Sequence, residues 1–243
     1  MPYFETAGRR LYYETHGEGF PVLAFAPGGM RSAIDRWQLS KIKAVDVLAS
    51  RFHVIVLDQR NAGRSKAPVT ADDGWGDYTA DHLALLDHLE VERCHLLGVC
   101  IGGSFGLSLI RAAPERVSRA VLIQPIGNSG HNRREFYALF DGWASDLPQA
   151  ARPDDAALAS FRSRLYDGDF VYSVTRDFVK QCPTPLLVLM GDDVYHPASI
   201  SREVVELAPH ARLIEDWKEG EARTAAEQAI VRFLTEEGSE ALQ

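Results

Sequence analysis

Short apolar runs alternate along this chain with stretches whose apolar residues recur at helical spacing. Aliphatic and β-branched runs at Val22 to Phe25, His53 to Leu57, Cys94 to Leu97, Ala120 to Ile123, Leu186 to Leu189 and Arg212 to Glu215 each predict a strand. Most are apolar throughout, the pattern of strands covered on both faces and joined by crossover connections, so a mostly parallel sheet is expected. Tyr3 to Ala7 and Arg10 to Thr15 predict an antiparallel hairpin joined at Gly8. Leu83, Leu86 and Leu89 mark a helix over Tyr78 to Leu89, which Asp77 or Thr79 would cap, and a last helix runs from Ala222 to Thr235.

From Pro125 to Pro183 the alternation stops, and the chain reads as helical with no convincing strand. The expected organisation is therefore one α/β core, residues 1–125 and 184–243, with a small helical insertion over residues 126–183. The insertion is rich in aromatics: Phe136, Tyr137, Phe140, Trp143, Phe161, Tyr166, Phe170, Tyr172 and Phe178. Most should pack the insertion itself, with a few facing a pocket.

Composition narrows the classes of function. The 243 residues are 46% hydrophobic and 25% charged, proportions of an ordinary soluble domain. A net charge of −8 and no basic stripe argue against a nucleic-acid partner. Met1 to Thr6 lacks a basic region followed by an apolar core, and no long apolar run follows, so a cytoplasmic protein without a membrane span is expected. Cys94, Cys100 and Cys182 are odd in number, at spacings that suit neither a disulfide framework nor a zinc site. No metal or cofactor motif appears, and the oligomeric state is not legible.

Candidate chemistry centres on Gly98-Val99-Cys100-Ile101-Gly102, between the apolar run His95 to Leu97 and the helix-like stretch Gly103 to Ile110. A sharp strand-to-helix turn needs small residues two positions either side of its apex, and glycines stand there. Cys100 would then be exposed at a helix N-terminus, where dipole and free N–H groups favour a thiolate. The pattern resembles the α/β-hydrolase superfamily, with cysteine where most members carry serine, as in the dienelactone-hydrolase branch. That resemblance implies the α/β-hydrolase fold, with the insertion as a cap over the nucleophile.

Other segments extend the resemblance in the expected order. Ala26-Pro27-Gly28-Gly29-Met30 resembles the family's His-Gly-Gly oxyanion loop with Pro27 in the histidine's place, which implies the backbone N–H groups of Gly29 and Ile101 as oxyanion donors. Asp58 to Ser65 resembles the Asp-x-Arg-Gly-x-Gly-x-Ser segment, and Asp58 and Arg60 are assigned to architecture. The family's acid lies two residues after a glycine like Gly191, which selects Asp193, with Asp192 beside it as competitor.

The family's base does not appear in its usual segment, Asp216 to Ala222, and His210 precedes the last strand. A thiol, more nucleophilic than a hydroxyl and partly ionised, tolerates a relocated base. His196, three residues after Asp193, is favoured; His131 is the other candidate, and Glu219 or Glu221 would serve only if burial raised their pKa. The leading reading is a cysteine-dependent hydrolase of a small apolar ester, thioester or lactone, acting through an acyl-enzyme with Cys100, His196 and Asp193. A hydrolase-fold protein that binds a small molecule with little turnover, or a lyase-type member, are the alternatives. Arg133, Arg134 and Arg176 are possible carboxylate anchors for a small-molecule substrate.

Overall fold

A computed structural model describes residues 3–236. Its sheet runs in the order β1-β2-β4-β3-β5-β6-β7-β8, with β1 (Tyr3–Thr6), β2 (Arg9–His16), β3 (Phe20–Phe25), β4 (Phe52–Leu57), β5 (Cys94–Val99), β6 (Val117–Ile123), β7 (Leu186–Leu189) and β8 (Ala211–Ile214). The hairpin β1–β2 is antiparallel and β2 meets β4 antiparallel; every other pairing is parallel. The α/β-hydrolase fold expected from the sequence is thus the fold observed. Between the strands come α1 (Ala44–Leu48), α2 (Trp75–His88), α3 (Ile101–Ala112), α4 (Arg133–Ser145), α5 (Asp155–Tyr166), α6 (Arg176–Lys180), α7 (Ala198–Leu207) and α8 (Gly220–Thr235).

Strand periodicity explains why the central runs are apolar throughout. Leu23, Phe25, Ile55, Leu57, Leu96, Leu122 and Val188 enter one core with α2, α3, α7 and the residues of α4 to α6. Their neighbours Val22, Ala24, Val54, Val56, Leu97, Val121 and Leu189 enter a second core with α1 and α8. Successive side chains go to opposite faces, and helices cover both.

Several boundaries differ from expectation. Helix α2 starts at Trp75, three residues early, because the Asp77 carboxylate reaches back to accept the Gly74 N–H at 2.9 Å and so fixes the first turn. Strand β6 begins at Val117, which pairs with Cys94; the register then shifts across polar Ser118 and Arg119 and pairing resumes at Ala120 and Leu96.

The segment between β6 and β7 is helical, and it is fastened to the rest of the chain at several points. The Trp143 Nε1–H donates to the Asn61 carbonyl (3.0 Å), the Ser160 hydroxyl to the Ala71 carbonyl (3.0 Å), and the Ser104 hydroxyl to the Val171 carbonyl (2.8 Å). Its aromatics pack mainly on one another. Phe140, Trp143 and Phe161 form one group with ring centroids 5.2–5.9 Å apart. Phe136, Tyr166 and Tyr172 form another at 5.0–5.5 Å. Among the described residues no helix is long and apolar enough to cross a membrane.

Candidate active site

The joint between β5 and α3 is tight enough to dictate its sequence. A Cβ on Gly98 would lie 2.2 Å from the Gly102 carbonyl oxygen, and one on Gly102 would lie 2.8 Å from that of Phe25. Cys100, between them, has φ 60° and ψ −119°, a conformation costly for any residue but glycine. The surrounding backbone holds it there: its N–H donates to the Ile123 carbonyl at 3.0 Å, and its own carbonyl accepts the Gly103 N–H at 3.1 Å. The Cys100 side chain is partly exposed, whereas Cys94 and Cys182 are buried.

Three groups surround the sulphur. Burial by itself pushes the Cys100 thiol up, but the nearby imidazole of His196, with the backbone N–H groups of Gly28 and Ile101, outweighs it and holds the thiol below its ordinary value. Burial pushes Cys94 the other way, to about 12, with little to offset it. The Ile101 N–H, expected from the resemblance as an oxyanion donor, lies here beside the sulphur. On the loop after β3, Gly28 rather than Gly29 reaches the sulphur; both have positive φ, 120° and 59°. The loop is held by the Ser32 hydroxyl, which donates to the Ala26 carbonyl at 2.6 Å.

His196 follows β7, on the turn that begins at Gly191. Its Nδ1 lies 2.8 Å from both oxygens of Asp193, and its Nε2 is buried without a hydrogen bond of good geometry. Burial lowers the imidazole pKa, but contact with Cys100 and then with Asp193 outweighs that and lifts it to about 9. Burial of Asp193 is in turn outweighed by His196 and by the N–H groups of His196 and Tyr195, which hold its carboxyl below the usual range. The shifts of thiol, imidazole and carboxylate all run toward the charged form of each group, so each favours the charge of its neighbour.

The remaining candidates are placed elsewhere. Asp192 is paired with Lys218 and does not meet the imidazole. His131 is exposed on the turn before α4. Glu219 is exposed and paired with Lys41, which holds its carboxyl low, and Glu221 is exposed too. Both stand in solvent, away from the burial that a carboxylate base would need. The segment after β8, the family's usual place for the base, instead sends in Trp217, which is 1% exposed and donates its Nε1–H to the Met190 carbonyl at 2.8 Å. Arg176 is taken up by Glu203 and Asp169, and so is not a free anchor; Arg133 and Arg134 are exposed.

The architectural residues tie the loops together. Asp58 accepts from the N–H groups of Ile34 and Arg64, at 2.8 Å each. Arg60 is buried against Asp81 (2.8 Å) and Asp73 (3.3 Å). Among the described residues no group of three or more His, Cys, Asp and Glu side chains is placed to hold a metal ion.

Known proteins share this frame. The sequence matches the alpha/beta hydrolase fold family over residues 27–214. It is 35% identical over 123 residues to "Putative carbamate hydrolase RutD" of Azorhizobium caulinodans, covering 51% of this chain and 44% of that relative. It is 30% identical over 206 residues to the protein of the same name from Pseudomonas savastanoi pv. phaseolicola, covering 72% of this chain and 79% of the relative. The crystal structure of the enol-lactonase from Burkholderia xenovorans LB400 superposes with a TM-score of 0.69 at 23% identity, over 97% of this chain and 100% of that one, a likeness of fold. With the strained turn between β5 and α3 set in a parallel sheet of this order, and the sequence match running from the loop after β3 to the end of β8, the chain belongs to the alpha/beta hydrolase fold family.

Proposed function

We propose that the protein is a cysteine-dependent hydrolase of a small, rather apolar ester, thioester or lactone, working through a Cys100 acyl-enzyme. The observation that carries this reading is the contact of His196 with Cys100 at a strained strand-to-helix turn, with Asp193 on the far side of the ring. A pocket that only binds a ligand has no use for a thiol with a depressed pKa. The names of the relatives, a carbamate hydrolase and an enol-lactonase, denote attack at a carbonyl and agree with this class of reaction.

Protons balance without an external base. At rest Cys100 is thiolate and His196 imidazolium. The thiolate attacks the carbonyl carbon, and the oxygen's developing charge is met by the N–H of Ile101 and that of Gly29 or Gly28. His196 then gives its proton to the leaving oxygen or sulphur as the carbonyl re-forms, leaving a thioester on Cys100 and a neutral imidazole. Acylation removes the thiolate charge that had raised His196, so the imidazole becomes less basic, stays neutral after giving up its proton and is free to act as the base. It takes a proton from water, hydroxide adds to the thioester, and collapse expels the thiolate and restores the ion pair. Residues 126–183 act as the cap, and the aromatic group Phe136, Tyr166 and Tyr172, continued through Tyr195 beside His196, supplies the apolar wall.

Turnover of a panel of small aryl esters, thioesters and lactones tests this. Cys100→Ala and His196→Ala should each lose roughly 1,000-fold or more in kcat/KM. Activity lost in His196→Ala but kept in Cys100→Ala would favour the lyase-type reading instead.

A further inference from the structure

We propose that Asn132, the residue from which α4 starts, is a positioning residue for His196: its side-chain amide fixes the Val194 carbonyl and thereby sets the Asp193–His196 turn against Cys100. The inference rests on the reading of His196 as the base. It makes the residues between β6 and β7 responsible for placing the base as well as covering the site.

The need for such support follows from where the base is. Acid and base share one short turn, so any displacement of its backbone moves both at once. The foot of the turn is anchored from two sides: Trp217 donates to the Met190 carbonyl (2.8 Å), and the Gly191 N–H donates to the Ser201 hydroxyl (3.1 Å). Lys218 holds the Asp192 side chain. Between Asp193 and His196 the backbone has, among the described residues, one hydrogen bond from outside the turn, the Asn132 Nδ2–H to the Val194 carbonyl at 2.7 Å. The Val194 side chain gives no anchorage, being 48% exposed.

Asn132 is itself fixed. It is 1% exposed, its Nδ2 also donates to the Gly127 carbonyl at 2.9 Å, and its Oδ1 accepts the Ser129 N–H at 3.0 Å. Gly127 lies directly on α7: a Cβ there would be 2.7 Å from the Ile200 side chain. The amide therefore joins a turn wedged on α7 to the turn that carries the imidazole. Its flat group, with two donors and an acceptor in one plane, suits three backbone partners at once. The titratable groups acting on His196 are Cys100 and Asp193, so loss of the Val194 tether should appear directly in the titration of the thiol.

The test is the rate of Cys100 carbamidomethylation by iodoacetamide as a function of pH, on the full chain, with thermal unfolding in parallel. Asn132→Ala and the near-isosteric Asn132→Leu are both neutral, so neither adds a charge of its own. Ser160→Ala, which breaks a different bond between the insertion and the core, is the control. In wild type the midpoint should lie below that of an ordinary thiol. In both Asn132 variants it should rise by about one pH unit, a loss of roughly tenfold in rate at pH values below both midpoints. In Ser160→Ala the midpoint should stay in place even if Tm falls. Asn132 variants with a lower Tm but the wild-type midpoint would overturn this inference alone and leave a structural role. A wild-type midpoint at the ordinary thiol value would overturn the reading of His196 and this inference with it.

Discussion

Gly191 is the residue at which a relocated base is most vulnerable to a single added atom. A Cβ there would sit 2.3 Å from the His196 carbonyl oxygen and 2.5 Å from its Cβ. Gly191→Ala must push the Asp193–His196 turn away, and a displacement near 1 Å costs on the order of 100-fold when it falls on a reacting group. Steady-state kinetics should show a fall in kcat with little change in KM; an unchanged kcat would mean that the turn does not set the imidazole. Cys100→Ser separates an ionised nucleophile from one that needs its base to ionise. The hydroxyl does not ionise beside His196 as a thiol does, so esterase turnover should drop by roughly 100-fold or more, and a serine variant as active as wild type would contradict a resting thiolate. At this scale the sequence was legible wherever local geometry alone demands a residue. Gly98 and Gly102 mark the apex at Cys100, while the offset from Gly191 that selects Asp193 came from the resemblance to the family. The choice of Asp193 over Asp192 needed the Lys218 partner, contributed from a loop distant in sequence. The same holds for Gly28 beside the sulphur, Trp217 under Met190 and Asn132 on Val194: each is defined by a contact that no spacing along the chain encodes.

Elements carry the strain that residues display. The β5–α3 joint lets Gly98 approach Gly102 backbone to backbone, so Gly98→Ala has no flexible neighbour to displace. The variant should lose several kcal/mol, at or above the usual 1–3 kcal/mol of overpacking, read as a lower urea midpoint; a midpoint within error of wild type would show that the joint has slack. Helix α2 offers a milder test. Asp77→Ala removes the acceptor for the Gly74 N–H and should cost about 1 kcal/mol. Strands were read well because burial on both faces makes them apolar runs, as with Leu186 to Leu189, whose limits match β7. Helix α7 was not read, since its buried face rests on little more than Ile200 and Val204, separated by Ser201, Arg202 and Glu203. The early start of α2 was missed because Trp75-Gly76 looks like a loop until the Asp77 cap is seen.

For the molecule as a whole, two core histidines set the response to acid. Burial pushes His82 down to about 3 and His95 to about 4. Both are neutral when folded, whereas the unfolded chain takes up their protons below about pH 6.5. Their full contribution is therefore present above that pH and is lost as pH falls toward 4, at about 2 kcal/mol each by pH 5. His196 works in the opposite direction: raised to about 9, it favours the fold below pH 6.5 and loses that contribution as pH rises through about 9. Urea unfolding should give a clearly lower stability at pH 5 than at pH 7, and equal values would contradict the buried neutral state of His82 and His95. The order of strands and the break between residues 125 and 183 were legible at this scale because they are properties of hydrophobic pattern. The hydrophobic pattern is silent on which side chains meet across the site: His196 was favoured for its place three residues after Asp193, and the contact between the two is seen only in the folded chain. That relocated base is the central claim, and intact mass spectrometry after brief exposure to an activated aryl ester tests it most directly. Wild type should release product with at most a transient acyl adduct, His196→Ala should accumulate a stable adduct on Cys100, and Cys100→Ala should show none. No adduct in His196→Ala, or wild-type product release in that variant, would contradict it.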